Sequence, residues 1–144
     1  MASPRAAALY SPELLALAVE LAEVPYDDRA RAIGHARSRS CGSVIDLSSS
    51  NAERIETVGI RVSACAVGQA SAAIFAREAA GMDAEAVQTT IEELGEWLEG
   101  RAPSAILPRL ELLEAARPHR GRHEAILLPW RAALAALSNP GTPG

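Results

Sequence analysis

Apolar residues recur along the chain first with the period of a helix, then with that of a strand, then with that of a helix again. Leu14, Leu15, Ala18, Leu21 and Ala22 share one helical face. Ser11-Pro12-Glu13 opens that helix with a serine able to cap, a proline suited to the first position and a glutamate at the positive end of the dipole. Pro25 ends it, and Tyr26–Gly34 reads as a charged loop. Between Gly34 and Ala64 the period changes. Val44, Ile45, Leu47, Ile55, Val58, Ile60 and Val62 bring mostly β-branched residues, alternating most clearly at Val58, Ile60 and Val62. This predicts two or three antiparallel strands, best marked at Ser40–Leu47 and Ile55–Val62, with a turn at Ser48–Asn51.

After Cys65 the pattern is helical. Val67, Ala70 and Ile74 follow one face until Gly81. Asp83 is placed to cap a helix whose Val87, Ile91, Leu94 and Leu98 form an amphipathic stripe, closed by Gly100 and Pro103. Leu107–Ala116 reads as a shorter helix and Glu124–Leu137 as the last, with Pro129 near its start. Pro118 and Gly121 argue against a regular helix between those two, and the Pro- and Gly-rich tail from Asn139 to Gly144 reads as flexible. The predicted class is α+β: a small antiparallel sheet of about three strands with helices packed mainly on one face. No internal repeat or second domain is visible, so residues 1–144 are expected to form one domain, ordered from about 10 to 137.

Composition qualifies the apolar pattern. Residues counted as hydrophobic make up 49% of the chain, but thirty of them are alanine and only five are aromatic, so Leu, Ile and Val must do most of the burial. Arginine supplies all the fixed positive charge, since lysine is absent. A net charge of −4 excludes a broadly basic nucleic-acid-binding surface. Charge is nonetheless uneven: acids dominate from Asp83 to Glu114, whereas Arg29, Arg31, Arg37 and Arg39 precede Cys41, and Arg117, Arg120 and Arg122 crowd a later segment. Brought together, the two arginine clusters would frame one electropositive pocket. No stretch approaches the roughly 18–20 apolar residues of a membrane span. Leu14–Ala22 is too short, and lacks the basic flank, for a secretory signal. The cytoplasm is therefore the expected location, where two cysteines serve as free thiols, ligands or catalytic groups sooner than as a disulfide.

Cys41 stands in Ser40-Cys41-Gly42-Ser43, where a loop meets a strand, and Gly42 permits a positive φ or close approach to a ligand. Cys65 stands where a strand gives way to a helix, so its sulfur faces the positive end of a helix dipole, which favours the thiolate that binds metal or attacks sulfur. Two cysteines 24 residues apart match no metal template by spacing, and buried small hydrophobes are the plain alternative for both. His119 and His123 are four apart, but the break expected at Pro118 and Gly121 favours a solvated basic loop over a two-histidine site. No phosphate loop, nucleophile elbow, dinucleotide fingerprint or zinc-finger spacing is present.

The order of these pieces resembles the IscU/NifU/SufU scaffolds of iron–sulfur cluster assembly, from about Tyr10 to Leu137. The family's Cys-Gly-Asp motif corresponds to Cys41-Gly42-Ser43. Its second cysteine, followed at five and six residues by Ala-Ser, corresponds to Cys65 with Ala70 and Ser71. Its third motif, a basic residue three before a cysteine with Trp five beyond in SufU-like members, places Arg122 at the basic position and Ala125 where the cysteine would stand. The resemblance implies a SufE/IscU-like fold and a non-enzymatic scaffold or carrier. It would bind an iron ion or labile iron–sulfur cluster, with zinc the lesser alternative. Cys41 and Cys65 are the implied ligands, His123 or Glu124 the candidate third, and Ser43 and Arg122 the supporting residues. A cysteine desulfurase and other assembly proteins are the implied partners, with a homodimer able to share a cluster, and with neither nucleic acid nor membrane among them. Two alternatives remain: a cluster-free module that docks on a desulfurase, and a sulfur transferase that accepts persulfide on Cys65.

Overall fold

The computed structural model describes residues 11–39, 42–102 and 106–138. Ser11 caps the first helix, α1 (Pro12–Val19), its Oγ accepting from the Leu14 amide at 3.2 Å. A 3₁₀ turn, Glu20–Glu23, carries the chain toward the sheet. Three strands follow, β1 (Ala32–Arg37), β2 (Val44–Ser49) and β3 (Gly59–Ser63), antiparallel in the order β1-β2-β3. Then come α2 (Ala66–Glu78), α3 (Ala84–Leu98), a 3₁₀ segment at Leu110–Ala116, and α4 (Arg120–Ser138). Asp83 caps α3, accepting from the Ala86 amide at 2.8 Å.

The α+β class and the antiparallel sheet are as the pattern predicts. The pairing register aligns Gly34, Leu47 and Ile60 in one row and Ala36, Ile45 and Val62 in the next. These rows face the helices, and α4 lies across β1 and β2. Gly34 is where α4 comes closest: a Cβ there would collide with the Ala132 carbonyl oxygen and stand 2.7 Å from the Ala136 nitrogen. Alanines on α4 let the helix backbone settle onto the sheet. The alanine excess thus has a packing role here. Beyond the sheet, α4 packs on α2 and α3 around Phe75, Trp97 and Trp130, all fully buried, with the Phe75 and Trp130 rings edge to face at 4.9 Å.

The shorter helix expected at Leu107–Ala116 is a 3₁₀ segment that starts at Leu110, the first helix gives way to a 3₁₀ turn after Val19, and boundaries differ elsewhere too. β1 occupies the end of the expected loop, because its inward residues Ala32, Gly34 and Ala36 are too small to register as a hydrophobic alternation. β2 begins at Val44 and includes Ser48 and Ser49, which the pattern assigns to a turn. The buried Ser49 hydroxyl accepts from the amides of Asn51 and Glu56 and so organises the following connection. β3 starts only at Gly59: Thr57 takes φ 41°, and the Ile55 amide donates to the Met82 carbonyl outside the sheet. Finally, α4 starts at Arg120, so Gly121 lies in its first turn instead of breaking it. A glycine there costs about 1 kcal/mol, which the buried run Ala125–Leu128 outweighs. Pro129 inside α4 removes the N–H that would reach the Ala125 carbonyl, and one residue on, the Ser71 hydroxyl donates to the Ile126 carbonyl at 2.6 Å. The tail expected to be flexible, and Cys41, fall outside the described residues.

Candidate functional site

At one end of the sheet, the start of β2, the end of β3, the start of α2 and the first turn of α4 converge. A cleft of about 260 Å³ opens there, lined by Gly42, Ser43, Ser63, Ala64, Cys65 and Arg122. Cys65 is the N-cap residue of α2, with extended backbone (φ −67°, ψ 170°) and a half-buried side chain that makes no capping hydrogen bond. Its sulfur therefore sits at the helix terminus without serving the helix. Gln69 steadies the approach, its amide nitrogen donating to the Cys65 carbonyl and its side chain to the Ala64 carbonyl, both at 2.9 Å. Position Gln69, four beyond Cys65, escapes sequence reasoning because a helical glutamine has an unremarkable solvated alternative.

Gly42, the chain neighbour of Cys41, takes φ 71°, the left-handed conformation that glycine adopts without strain. Cys41 itself lies outside the described residues. Among its described neighbours, the Ser38 amide donates to the Ser43 carbonyl at 2.8 Å and the Gly42 amide to the Ser38 carbonyl at 3.2 Å. Ser43 is buried at the cleft wall.

The later arginine cluster is divided. Arg122 lines the cleft, but Arg117 stacks on the Trp97 ring at 4.8 Å and donates to the Trp97 and Ala102 carbonyls. Arg120 is exposed and approaches Glu99 at 3.8 Å. Both thus serve the junction of α3 with α4. His123 and Glu124 are likewise engaged and do not line the cleft. His123 Nε2 lies 2.7 Å from the Arg117 carbonyl, to which it must donate, leaving Nδ1 as its lone-pair nitrogen. Glu124 Oε2 accepts from the Ser38 hydroxyl and the Arg39 amide, both at 2.9 Å. Ala125 is fully buried, its Cβ 3.4 Å from where a Cβ on Gly68 would stand. Among the described residues, no group of three or more His, Cys, Asp or Glu side chains is arranged to hold a metal ion.

The outer face of the sheet carries a network that the sequence did not suggest. His35, Asp46 and Arg61 are aligned across the three strands by register. His35 Nδ1 lies 2.8 Å from Asp46 Oδ1, and Arg61 donates to Asp46 Oδ2 at 2.9 Å while its guanidinium covers the Tyr26 ring at 4.5 Å. The His35 hydrogen bond, then Arg61, hold the Asp46 carboxyl below the usual range against the opposing effect of burial. Burial and then Asp46 push the Tyr26 hydroxyl upward.

No protein-family model matches the sequence, and no curated protein does. Solved structures do. The N-terminal part of a nitrogen-fixing NifU-like protein from Brucella abortus superposes with a TM-score of 0.78 at 22% identity, over 93% of this chain and 95% of that one. A SufU protein from Fervidobacterium islandicum AW-1, described as a candidate iron–sulfur cluster assembly scaffold for the SUF system, gives 0.76 at 18% identity, over 91% and 98%. The chain has the fold of NifU-like and SufU proteins over nearly its whole length. Among the described residues no helix is long and apolar enough to cross a membrane.

Proposed function

We propose that this protein is an iron–sulfur cluster assembly scaffold or carrier, holding iron or a labile cluster as cargo through Cys41 and Cys65. The observation that carries the reading is the cleft itself. Cys65 meets it with a sulfur not used in capping, Gly42 brings the chain next to Cys41 to the same wall, and Arg122 adds a guanidinium beside them. A positive group there stabilises thiolate and attracts sulfide or persulfide. The likeness of fold to a SufU scaffold supports the same class of cargo.

Two thiolates are a sparse ligand set for a two-iron cluster, which takes four. His123 would supply a third ligand through Nδ1 while keeping its bond to the Arg117 carbonyl, and Glu124 would do so beside its bonds to Ser38 and Arg39; a fourth ligand is still needed. The alternative is a homodimer in which each chain contributes two cysteines. Either arrangement makes the cargo labile. A cysteine desulfurase is the proposed sulfur source, other assembly proteins the recipients, and the cytoplasm the setting. Ser43 and buried Ala125, at positions where the scaffolds it resembles carry Asp and Cys, favour the second reading, a cluster-free module that docks on a desulfurase.

Anaerobic incubation with ferric iron and sulfide separates the two. Visible charge-transfer bands in the wild type that are absent in Cys65→Ser support the scaffold. A colourless protein that still binds a desulfurase contradicts it and supports the module.

A further inference from the structure

We propose that Glu124 is a positioning residue that latches Ser38 and Arg39, where the chain leaves β1 toward Cys41, to the first turns of α4. This deepens the proposed function and rests on its reading of Cys41 as a working thiol. One carboxylate oxygen of Glu124 takes two hydrogen bonds from residues some 85 positions earlier, the Ser38 hydroxyl and the Arg39 amide. Ser38 is 1% exposed, so no bulk water competes for its hydroxyl. Hydrogen bonds to an ionised acceptor are about twice as strong as neutral ones, and an acceptor removed from such a site leaves buried donors unsatisfied.

The latch has a fixed end. Ala125 and Ile126, which follow Glu124, are fully buried, and Ile126 is tied to α2 through Ser71. Its other end is the segment folded on itself by the Ser38–Ser43 and Gly42–Ser38 hydrogen bonds. Loop position is thereby referred to α4, the same helix that presents Arg122 to the cleft. A ligand on a loop needs such support to be held within the tight tolerance of a metal–sulfur site. Held this way, Glu124 serves the loop.

The test uses the metal-free full chain and two readouts: amide exchange across residues 38–43, and iodoacetamide alkylation of each cysteine followed by mass spectrometry. Glu124→Ala is expected to raise loop exchange and the Cys41 alkylation rate by at least about tenfold, since it removes two hydrogen bonds to a charged group. Cys65 is the internal control and should keep its rate. Glu124→Gln retains an oxygen able to accept from both donors but loses the charge, and should fall between wild type and Glu124→Ala. Ser38→Ala removes one bond from the loop side and should fall between, which tests the latch even where Glu124→Ala folds poorly. Unchanged loop exchange in Glu124→Ala and Ser38→Ala, equal acceleration of both cysteines, or a Gln variant as loose as the Ala variant would each overturn the proposal. Because no iron is used, the latch can stand where the cargo reading fails, and the reverse.

Discussion

In the proposed function, position 125, where this chain carries alanine, sets how many thiolates the cargo can meet. The Ala125 side chain is fully buried beside Gly68, where an added Cβ would stand only 2.8 Å from the Ala64 Cβ. Ala125→Cys is expected to cost about 1 kcal/mol as overpacking and to lengthen the lifetime of bound iron and sulfide, measured as the rate of loss to a chelator. An unchanged lifetime would mean that position 125 does not face the cargo. At this scale the site is legible in part. Cys65, Gly42 and Arg122 are readable because a strand-to-helix change, a Cys-Gly pair and a basic residue each leave a local signal, and the cleft unites them. The fixed roles of His123 and Glu124 are not, because their partners, the Arg117 carbonyl and the Ser38–Arg39 segment, are backbone or distant groups that no spacing rule encodes.

Among elements, α4 and the sheet depend on close backbone approach. In an open strand an alanine would be favoured over glycine by about 0.5–1 kcal/mol. At Gly34 the added methyl meets backbone atoms of Ala132 and Ala136, which cannot yield as a flexible side chain would. Gly34→Ala should thus destabilise the fold by about 3 kcal/mol, the upper range of overpacking, in denaturant unfolding; a stabilised variant would show that α4 is not seated there. On the opposite face, the His35–Asp46–Arg61 row gives a pH-dependent contribution. The folded Asp46 carboxyl titrates below the usual range, so its stabilisation is complete above that range and is lost as pH falls through the depressed value. His35 and Arg61 are more than half exposed, which limits the effect to about 0.5 kcal/mol. Asp46→Asn should lose that amount near neutral pH and nothing once the carboxyl is protonated in wild type; a difference constant with pH would exclude the network. The helices are legible from periodicity and caps, as Ser11 and Asp83 show. β1 is not, since a strand of Ala, Gly and Ala on its inner side carries no hydrophobic alternation.

For the molecule as a whole, the fold places the end of β3, the start of α2 and the start of α4 around one cleft, and the rest of the chain supports that convergence. The same fold in NifU-like and SufU proteins accompanies low identity, so the architecture tolerates wide change in sequence while positions 43 and 125 of this chain differ from the motif pattern. The proposed function stands on two thiols acting together at that cleft. Its most direct test is iron and acid-labile sulfide per chain, retained after anaerobic reconstitution and gel filtration, in wild type, Cys41→Ser and Cys65→Ser. Retention by wild type and loss of both elements in each single variant are expected. Wild-type iron and sulfide in either variant would contradict the two-thiol site.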